Sequence, residues 1–80
     1  MDERLLQLEG AIRTRRELPN PEARRVLRES AGVSQGELGR AIGVTRQCVS
    51  AWEQGLARPR GANLARYLEA LHVLREAGFS

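Results

Sequence analysis

Residues 34–55, with the sequence SQGELGRAIGVTRQCVSAWEQG, contain two short helical patterns that are separated by Gly43. Ser34 precedes the first pattern, and Glu37 follows Ser34 by three residues, which is the S-x-x-E arrangement of a capping box. Gly43 favours the left-handed conformation that ends many helices. This third helix of the chain is predicted to carry three apolar residues on its inner side: Leu38, Ala41 and Ile42.

The second pattern predicts a fourth helix from Arg46 to about Gln54, with Thr45 as its N-cap and Gly55 after its end. At about 100° per residue, its side chains divide into two groups that point in opposite directions. The inner group comprises Thr45, Cys48, Val49 and Trp52. The outer group comprises Arg46, Gln47, Ser50, Ala51 and Gln54.

The outer side of the fourth helix has the chemistry that recognises base edges in the major groove of DNA. Arginine can donate two hydrogen bonds to guanine, glutamine can pair with adenine, and serine can donate or accept. Two short helices joined by a tight turn are also the arrangement that presents such a helix to the groove. A surface helix of any protein can carry the same residues, however, so this composition alone leaves the function open.

The rest of the sequence predicts three more helices and hence an all-α fold. Hydrophobic residues three and four apart indicate a first helix over residues 2–16. A second helix over residues 22–30 follows Asn20 as N-cap and Pro21 in the first turn. The last helix is predicted over residues 62–76. The inner residues of the second and last helices are predicted to be Ala23, Val26, Leu27, Leu64, Leu68, Leu71 and Leu74.

The composition of the chain constrains its function less than the spacing of its hydrophobic, polar and capping residues does. All 13 basic residues are arginine and the net charge is +3, which is compatible with nucleic-acid binding but does not establish it. Arg24, Arg25 and Arg28 are expected to point in several directions and to form no single patch. The single cysteine excludes an internal disulfide. No signal peptide or membrane span is expected, so the predicted location is the cytoplasm.

Together these residues resemble the helix-turn-helix of the phage-repressor and Cro family, the XRE-like DNA-binding domains. The resemblance extends from about Arg24 to Leu74. Its matching positions are Ser34, Gln35, Glu37, Leu38, Ile42, Gly43, Val44, Val49, Ser50, Trp52, Glu53, Gly55 and Pro59. It implies a compact five-helix, lambda-repressor-like fold. Residues 19–80 would form the DNA-binding domain, and residues 1–18 would add an N-terminal helix that packs on it or flanks it.

The resemblance also implies how the domain would contact DNA. The helix that begins at Arg46 would lie in the major groove, and the helix that begins at Gln35 would cross the DNA backbone. Base contacts are expected from Arg46, Gln47, Ser50 and Ala51. Contacts to the DNA backbone are expected from Ser34, Gln35, Thr45, Gln54, Arg58 and Arg60.

Arg28 and Glu53 match a structural ion pair of the family that ties the second helix to the fourth. Two other residues depart from the family pattern. Gly39 stands where alanine is frequent, which costs up to about 1 kcal/mol of helix propensity but would permit a close approach of the fourth helix. Arg46 stands where glutamine is frequent, and its longer side chain favours guanine.

Trp52, Cys48 and His72 are the single residues of their kinds. Trp52 is expected in the core rather than stacked on a base, and Cys48 as a small core residue rather than a redox-active thiol. His72 is expected at the surface or in an interface. One cysteine and one histidine are too few for a metal site. Because no catalytic set or phosphate-binding loop is present, no cofactor and no enzymatic activity are expected.

The sequence therefore predicts a bacterial or phage-encoded repressor that binds a specific double-stranded DNA site as a homodimer. The dimer contact is expected from the last helix, through Tyr67, Leu71 and Leu74, or from the first helix. The alternative is a protein-binding adaptor or antitoxin-like module that uses the same fold to hold a protein partner. Since DNA binding weakens steeply with salt, salt dependence distinguishes the two.

Overall fold

The computed structural model describes residues 2–8 and 18–78, and no strand occurs among them. Residues 3–8 are helical and are named α1. Four further helices follow: α2 (Pro21–Ser30), α3 (Gln35–Ile42), α4 (Arg46–Glu53) and α5 (Gly61–Gly78). The predicted all-α fold of five helices is thus confirmed. The predicted continuation of the first helix to Arg16 lies outside the described residues.

Three of the helices begin at the N-caps that the sequence predicts. The side chains of Asn20, Ser34 and Thr45 each accept a hydrogen bond from the backbone N–H three residues later, at 2.8, 3.0 and 3.1 Å. A cap of this kind stabilises a helix by about 1 kcal/mol. The capping box is complete, because Glu37 also accepts from the Ser34 N–H, and this bond holds the pKa of the Glu37 carboxyl below its usual value.

The core lies where the inner sides of α3, α4 and α5 meet. Trp52 is 3% exposed, and its ring stacks on that of Tyr67 with 4.8 Å between the ring centroids. Cys48 is half-buried and packs against the same cluster. The core placement of Trp52 is therefore confirmed. The buried hydrophobic residues of the described chain are Leu38, Ile42, Val49, Trp52, Tyr67, Leu71 and Leu74.

The residues predicted to form a dimer contact on the last helix lie inside the monomer instead. Tyr67, Leu71 and Leu74 are at most 5% exposed, because the inner side of α5 packs on α2 and α3. A surface that is buried within one subunit cannot also contact a second subunit, so this assignment is wrong. The outer side of α5 still exposes one large hydrophobic residue among the described positions, Val73.

The buried side of α2 is not the one that the hydrophobic pattern indicates. Val26 is 49% exposed, whereas Arg24 and Arg28 are buried. The two arginines are four residues apart and share one face, and Val26 lies about 160–200° away from them around the helix. Ala41 of α3 is likewise exposed. The predicted inner placement of Val26 and Ala41 is wrong.

The turn between α3 and α4 brings the two helices into backbone contact. Gly43 ends α3 with a φ of 92°, which glycine adopts without steric cost. A Cβ atom at Gly39 would lie 2.8 Å from the carbonyl oxygen of Val44 and 3.2 Å from backbone atoms of Thr45. The close approach predicted at Gly39 is therefore confirmed, and it sets the distance between α3 and the start of α4.

We expect Gly39→Ala to destabilise the protein even though alanine is the better helix former. The gain in helix propensity is up to about 1 kcal/mol. The added methyl group meets backbone atoms that cannot rotate away, and overpacking of this kind costs about 1–3 kcal/mol. Urea unfolding followed by circular dichroism measures the net change in the free energy of unfolding.

Gly36→Ala, in the same helix, is the matched control for this substitution. The nearest atom to its new methyl group is the Ser34 hydroxyl oxygen at 3.9 Å, so we expect the gain in propensity to appear as added stability. If both substitutions stabilise the protein, the contact at Gly39 does not constrain the turn.

Candidate nucleic-acid interface

The outer side of α4 carries the side chains that are predicted to face DNA bases. Arg46 and Gln47 are exposed, and Ser50 and Ala51 are half-buried. The inner side of the same helix is anchored in the core through Val49, which has no exposed surface. Because its inner side is packed, α4 carries these four residues on a support that is fixed by the core.

Two of the predicted DNA-contacting side chains are bonded to each other. Gln54 Nε2 donates to Ser50 Oγ over 2.7 Å. Since the Ser50 hydroxyl accepts this bond, its own hydrogen remains to be donated. The hydroxyl can thus act as a donor, and N7 and O6 of guanine and O4 of thymine are acceptors on base edges.

The predicted backbone contacts at the starts of α3 and α4 are exposed hydroxyl groups that already act as caps. The oxygen atoms of Ser34 and Thr45 accept bonds from the first turns of their helices, and each hydroxyl still has a hydrogen to donate. Unpaired N–H groups and the helix dipole also favour an anion at a helix N-terminus. Both positions are thus suited to a DNA phosphate.

The loop between α4 and α5 holds two further predicted backbone contacts. Arg58 and Arg60 are exposed, and Pro59 between them is buried. Neither arginine forms an ion pair with another described residue. The loop is therefore anchored at its centre while two guanidinium groups remain available to anions.

A buried ion pair holds α4 in its position. Arg28 Nε and Nη2 donate to the two carboxylate oxygens of Glu53, over 2.7 and 2.8 Å. Arg28 Nη1 donates to the carbonyl oxygen of Val33 over 2.9 Å. The Arg28 and Glu53 side chains are 10% and 2% exposed. This two-point contact joins α2 to α4 in a fixed orientation, as the resemblance implies.

Gln35 extends the ion pair to α3. Its Nε2 donates to Glu53 Oε1 over 3.2 Å, and the second hydrogen of the amide is left for a phosphate. Burial raises the pKa of Glu53, but the hydrogen bonds from Arg28 and Gln35 outweigh it and leave the pKa below its ordinary value of 4.5. Glu53 is therefore ionised at neutral pH and ties three helices together.

Sequence reasoning missed Arg24. Its side chain is buried rather than pointing to solvent, and its Cζ lies 5.5 Å from the centroid of the Tyr67 ring. The available signal was its distance of four residues from Arg28, which places both arginines on one face of α2. The three arginines of this helix thus do differ in direction, but two of them point inward.

Within residues 2–8 and 18–78, no three His, Cys, Asp or Glu side chains come together as a metal site would require. No helix in this part of the chain has both the length and the apolar character that a membrane crossing needs. His72 lies on the exposed side of α5, where its Nε2 is 3.9 Å from Glu76.

We expect Glu53→Gln to lower the free energy of unfolding by about 3–5 kcal/mol, because it leaves Arg28 charged and unpaired in a buried position. Thermal unfolding followed by circular dichroism measures this loss. Glu29→Gln is the matched control. Glu29 also lies near Arg28, at 3.8 Å, but its side chain is 56% exposed, so its removal should cost less than about 1 kcal/mol.

The Arg28–Glu53 pair also predicts that the wild type and Glu53→Gln differ in how their stability changes at acidic pH. The pKa of Glu53 is lower in the folded protein than its ordinary value of 4.5, so the pair stabilises fully above pH 4.5 and this contribution is lost as the pH falls through the folded value. We expect the wild type to lose stability more steeply than Glu53→Gln on acidification below pH 4.5. Equal slopes in a series of urea titrations would contradict this role.

Comparison with known proteins agrees with this geometry. Residues 25–76, more than half of the chain, match a family model described as helix-turn-helix. The match includes α3, α4 and both members of the Arg28–Glu53 pair. The chain has no significant match among curated proteins or among solved structures. On the extent of the family match, the chain belongs to the helix-turn-helix family of XRE-like DNA-binding transcription regulators.

Proposed function

We propose that the protein is a sequence-specific repressor that inserts α4 into the major groove of double-stranded DNA. The outer side of α4 supports this most directly. Arg46 and Gln47 extend into solvent, and Ser50 is held by Gln54 with its hydroxyl hydrogen available. Arg46 would donate two hydrogen bonds to a guanine, and Gln47 would pair with an adenine. Occupation of the site would block the polymerase.

Contacts to the DNA backbone would fix the position of α4 in the groove. Ser34, Gln35 and Thr45 lie at the starts of the two helices, and Arg58 and Arg60 lie in the loop that follows α4. Such contacts carry no sequence information but supply much of the affinity, since each neutralised phosphate releases condensed counterions. Four of these five residues are exposed and Gln35 is half-buried, which supports this role.

We also propose that the protein binds as a homodimer in the cytoplasm, with two α4 helices about 34 Å apart on half-sites one helical turn apart. Since the inner side of α5 is buried, the contact between the two subunits has to use another surface. The α1 segment is the stronger candidate, because Leu5, Leu6 and Leu8 are all more than half exposed. Exposed hydrophobic residues in one short segment favour contact with a partner.

Selection of bound sequences from a random DNA pool tests the proposed function. We expect a palindromic site with half-sites about 10 base pairs apart, centre to centre. A site without internal symmetry would contradict the homodimer. The absence of binding to any duplex, or affinity that does not change with salt, would favour a protein-binding adaptor instead.

Arg46→Ala should cost about 1–3 kcal/mol of binding free energy at the selected site and relax the preference for one base pair. Fluorescence anisotropy with the selected duplex and with single-base variants of it measures both effects. An equal loss of affinity for random duplexes would show that Arg46 contacts the backbone, and the proposed base contact would then be wrong.

Arg58→Ala should weaken binding to all duplexes by a similar factor. Removal of one phosphate contact should also reduce the slope of log affinity against log salt by about 0.9. Arg75→Ala is the matched control, because Arg75 is exposed near the other end of α5, about 20 Å along the helix from Gly61. It should leave the affinity and the slope unchanged.

A further inference from the structure

An open groove of about 760 Å³ lies between the start of α2 and the loop that precedes α5. Leu18, Pro21 and Leu64 form apolar parts of its wall. Its volume is within the range of about 300–1,000 Å³ that is usual for small-molecule sites. The proposed DNA contacts explain the exposed arginines of the neighbouring loop, but they do not explain the groove itself.

Arg24 lines this groove and forms no ion pair with another residue in the ranges 2–8 and 18–78. The residue is 5% exposed, and its Nε and Nη1 atoms are buried without a hydrogen-bond partner in the part of the chain that the structure describes. The face of the Tyr67 ring, 5.5 Å from Arg24 Cζ, attracts the charge, and the buried Tyr67 hydroxyl also has no hydrogen-bond partner among the described residues. A buried guanidinium that lacks acceptors is costly, so an anion in the groove would satisfy a group that the described part of the chain leaves unpaired.

The charge of the groove also favours an anion. The exposed residues Arg58 and Arg60 line it together with the buried Arg24, and no acidic residue is among the described residues that line it. The groove also includes Gly61, the first residue of α5. The N-terminus of an 18-residue helix adds a partial positive charge in the same place.

We propose that this groove binds a small organic anion, in which a carboxylate or a phosphate ester is attached to a short apolar body. Since Nε and Nη1 of Arg24 have almost no accessible surface in the free protein, the guanidinium would turn toward the groove to hold the anionic group, and Leu18, Pro21 and Leu64 would cover the apolar body. The combination of an unpaired buried cation with apolar walls distinguishes this site from a surface that attracts phosphate alone.

Such a ligand would act as an effector of DNA binding. Arg58 and Arg60 line the groove and are also the proposed contacts to the DNA backbone, so an anion that neutralises them would weaken the affinity for DNA. This consequence rests on the proposed function, whereas the binding of the anion to the free protein does not.

The binding step is tested on the free protein with sodium octanoate as the probe, at constant ionic strength. Tyr67 contacts both Arg24 and Trp52, so the fluorescence of the single tryptophan should report binding. We expect a saturable change in fluorescence and a rise in the thermal midpoint with octanoate, in accordance with ligand linkage. The neutral analogue octanamide should produce neither.

Arg24→Met, which keeps a long apolar side chain, separates the site from general effects of the probe. We expect it to raise the thermal midpoint of the free protein and to abolish the response to octanoate. Arg58→Gln with Arg60→Gln changes exposed residues only and should weaken octanoate binding severalfold without unfolding the protein. Arg66→Gln, at an exposed position of α5, is the control and should respond as the wild type does.

Three results would overturn the proposal: no saturable response of the wild type, an equal response of Arg24→Met, or a response to inorganic phosphate as strong as that to octanoate. The last result would identify a site for a bare phosphate, such as that of DNA. The effector role is tested by adding octanoate to the protein bound to its selected duplex. Saturable octanoate binding without loss of DNA would reject that role and leave the binding site in place.

Discussion

The contact of Arg28 with Glu53 is the interaction on which the DNA-binding arrangement depends. One buried carboxylate accepts two hydrogen bonds from α2 and one from Gln35 at the start of α3, while Glu53 itself belongs to α4. A buried ion pair contributes little net stability compared with apolar residues of similar size. Its importance lies in geometry, because the planar guanidinium permits few orientations. The pair therefore fixes how α4 is rotated relative to the two helices behind it.

The close backbone contact at Gly39 of α3 provides the second constraint on α4. The ion pair acts at the last turn of the helix, through Glu53, whereas the backbone contact at Gly39 acts just before its first turn, through Val44 and Thr45. A helix of eight residues that is held at both ends has little freedom to tilt. The outer residues Arg46, Gln47 and Ser50 are then held in one direction in the free protein, which would lower the entropy cost of binding.

Local signals predicted most of the fold, and they failed where distant parts of the chain meet. The caps at Asn20, Ser34 and Thr45 depend on residues within one helical turn, so their spacing in the sequence was sufficient. The burial of Arg24 depends on a tyrosine more than 40 residues later in the chain, and no local pattern contains that information. The same holds for the inner side of α5. In the sequence, Tyr67 and Leu71 look like residues of an oligomer interface, because the sequence does not show which helices cover them. The outer side of α4 could be predicted, since it follows from helical periodicity alone.

Arg24 and Arg28 show how two buried charges on one helix face can have opposite consequences. They lie one helical turn apart on α2, and both are at most 8% exposed. Arg28 has acceptors for Nε, Nη1 and Nη2, so its charge is compensated within the fold. Arg24 has the face of an aromatic ring, which lowers the energy of the cation by about 0.5–2 kcal/mol but leaves Nε and Nη1 without an acceptor among the described residues. The first arrangement is complete without a ligand, whereas the second leaves donors that the proposed anion would satisfy. A charge of the second kind is retained at a cost to the stability of a small domain, and this cost is the physical reason to assign it a ligand.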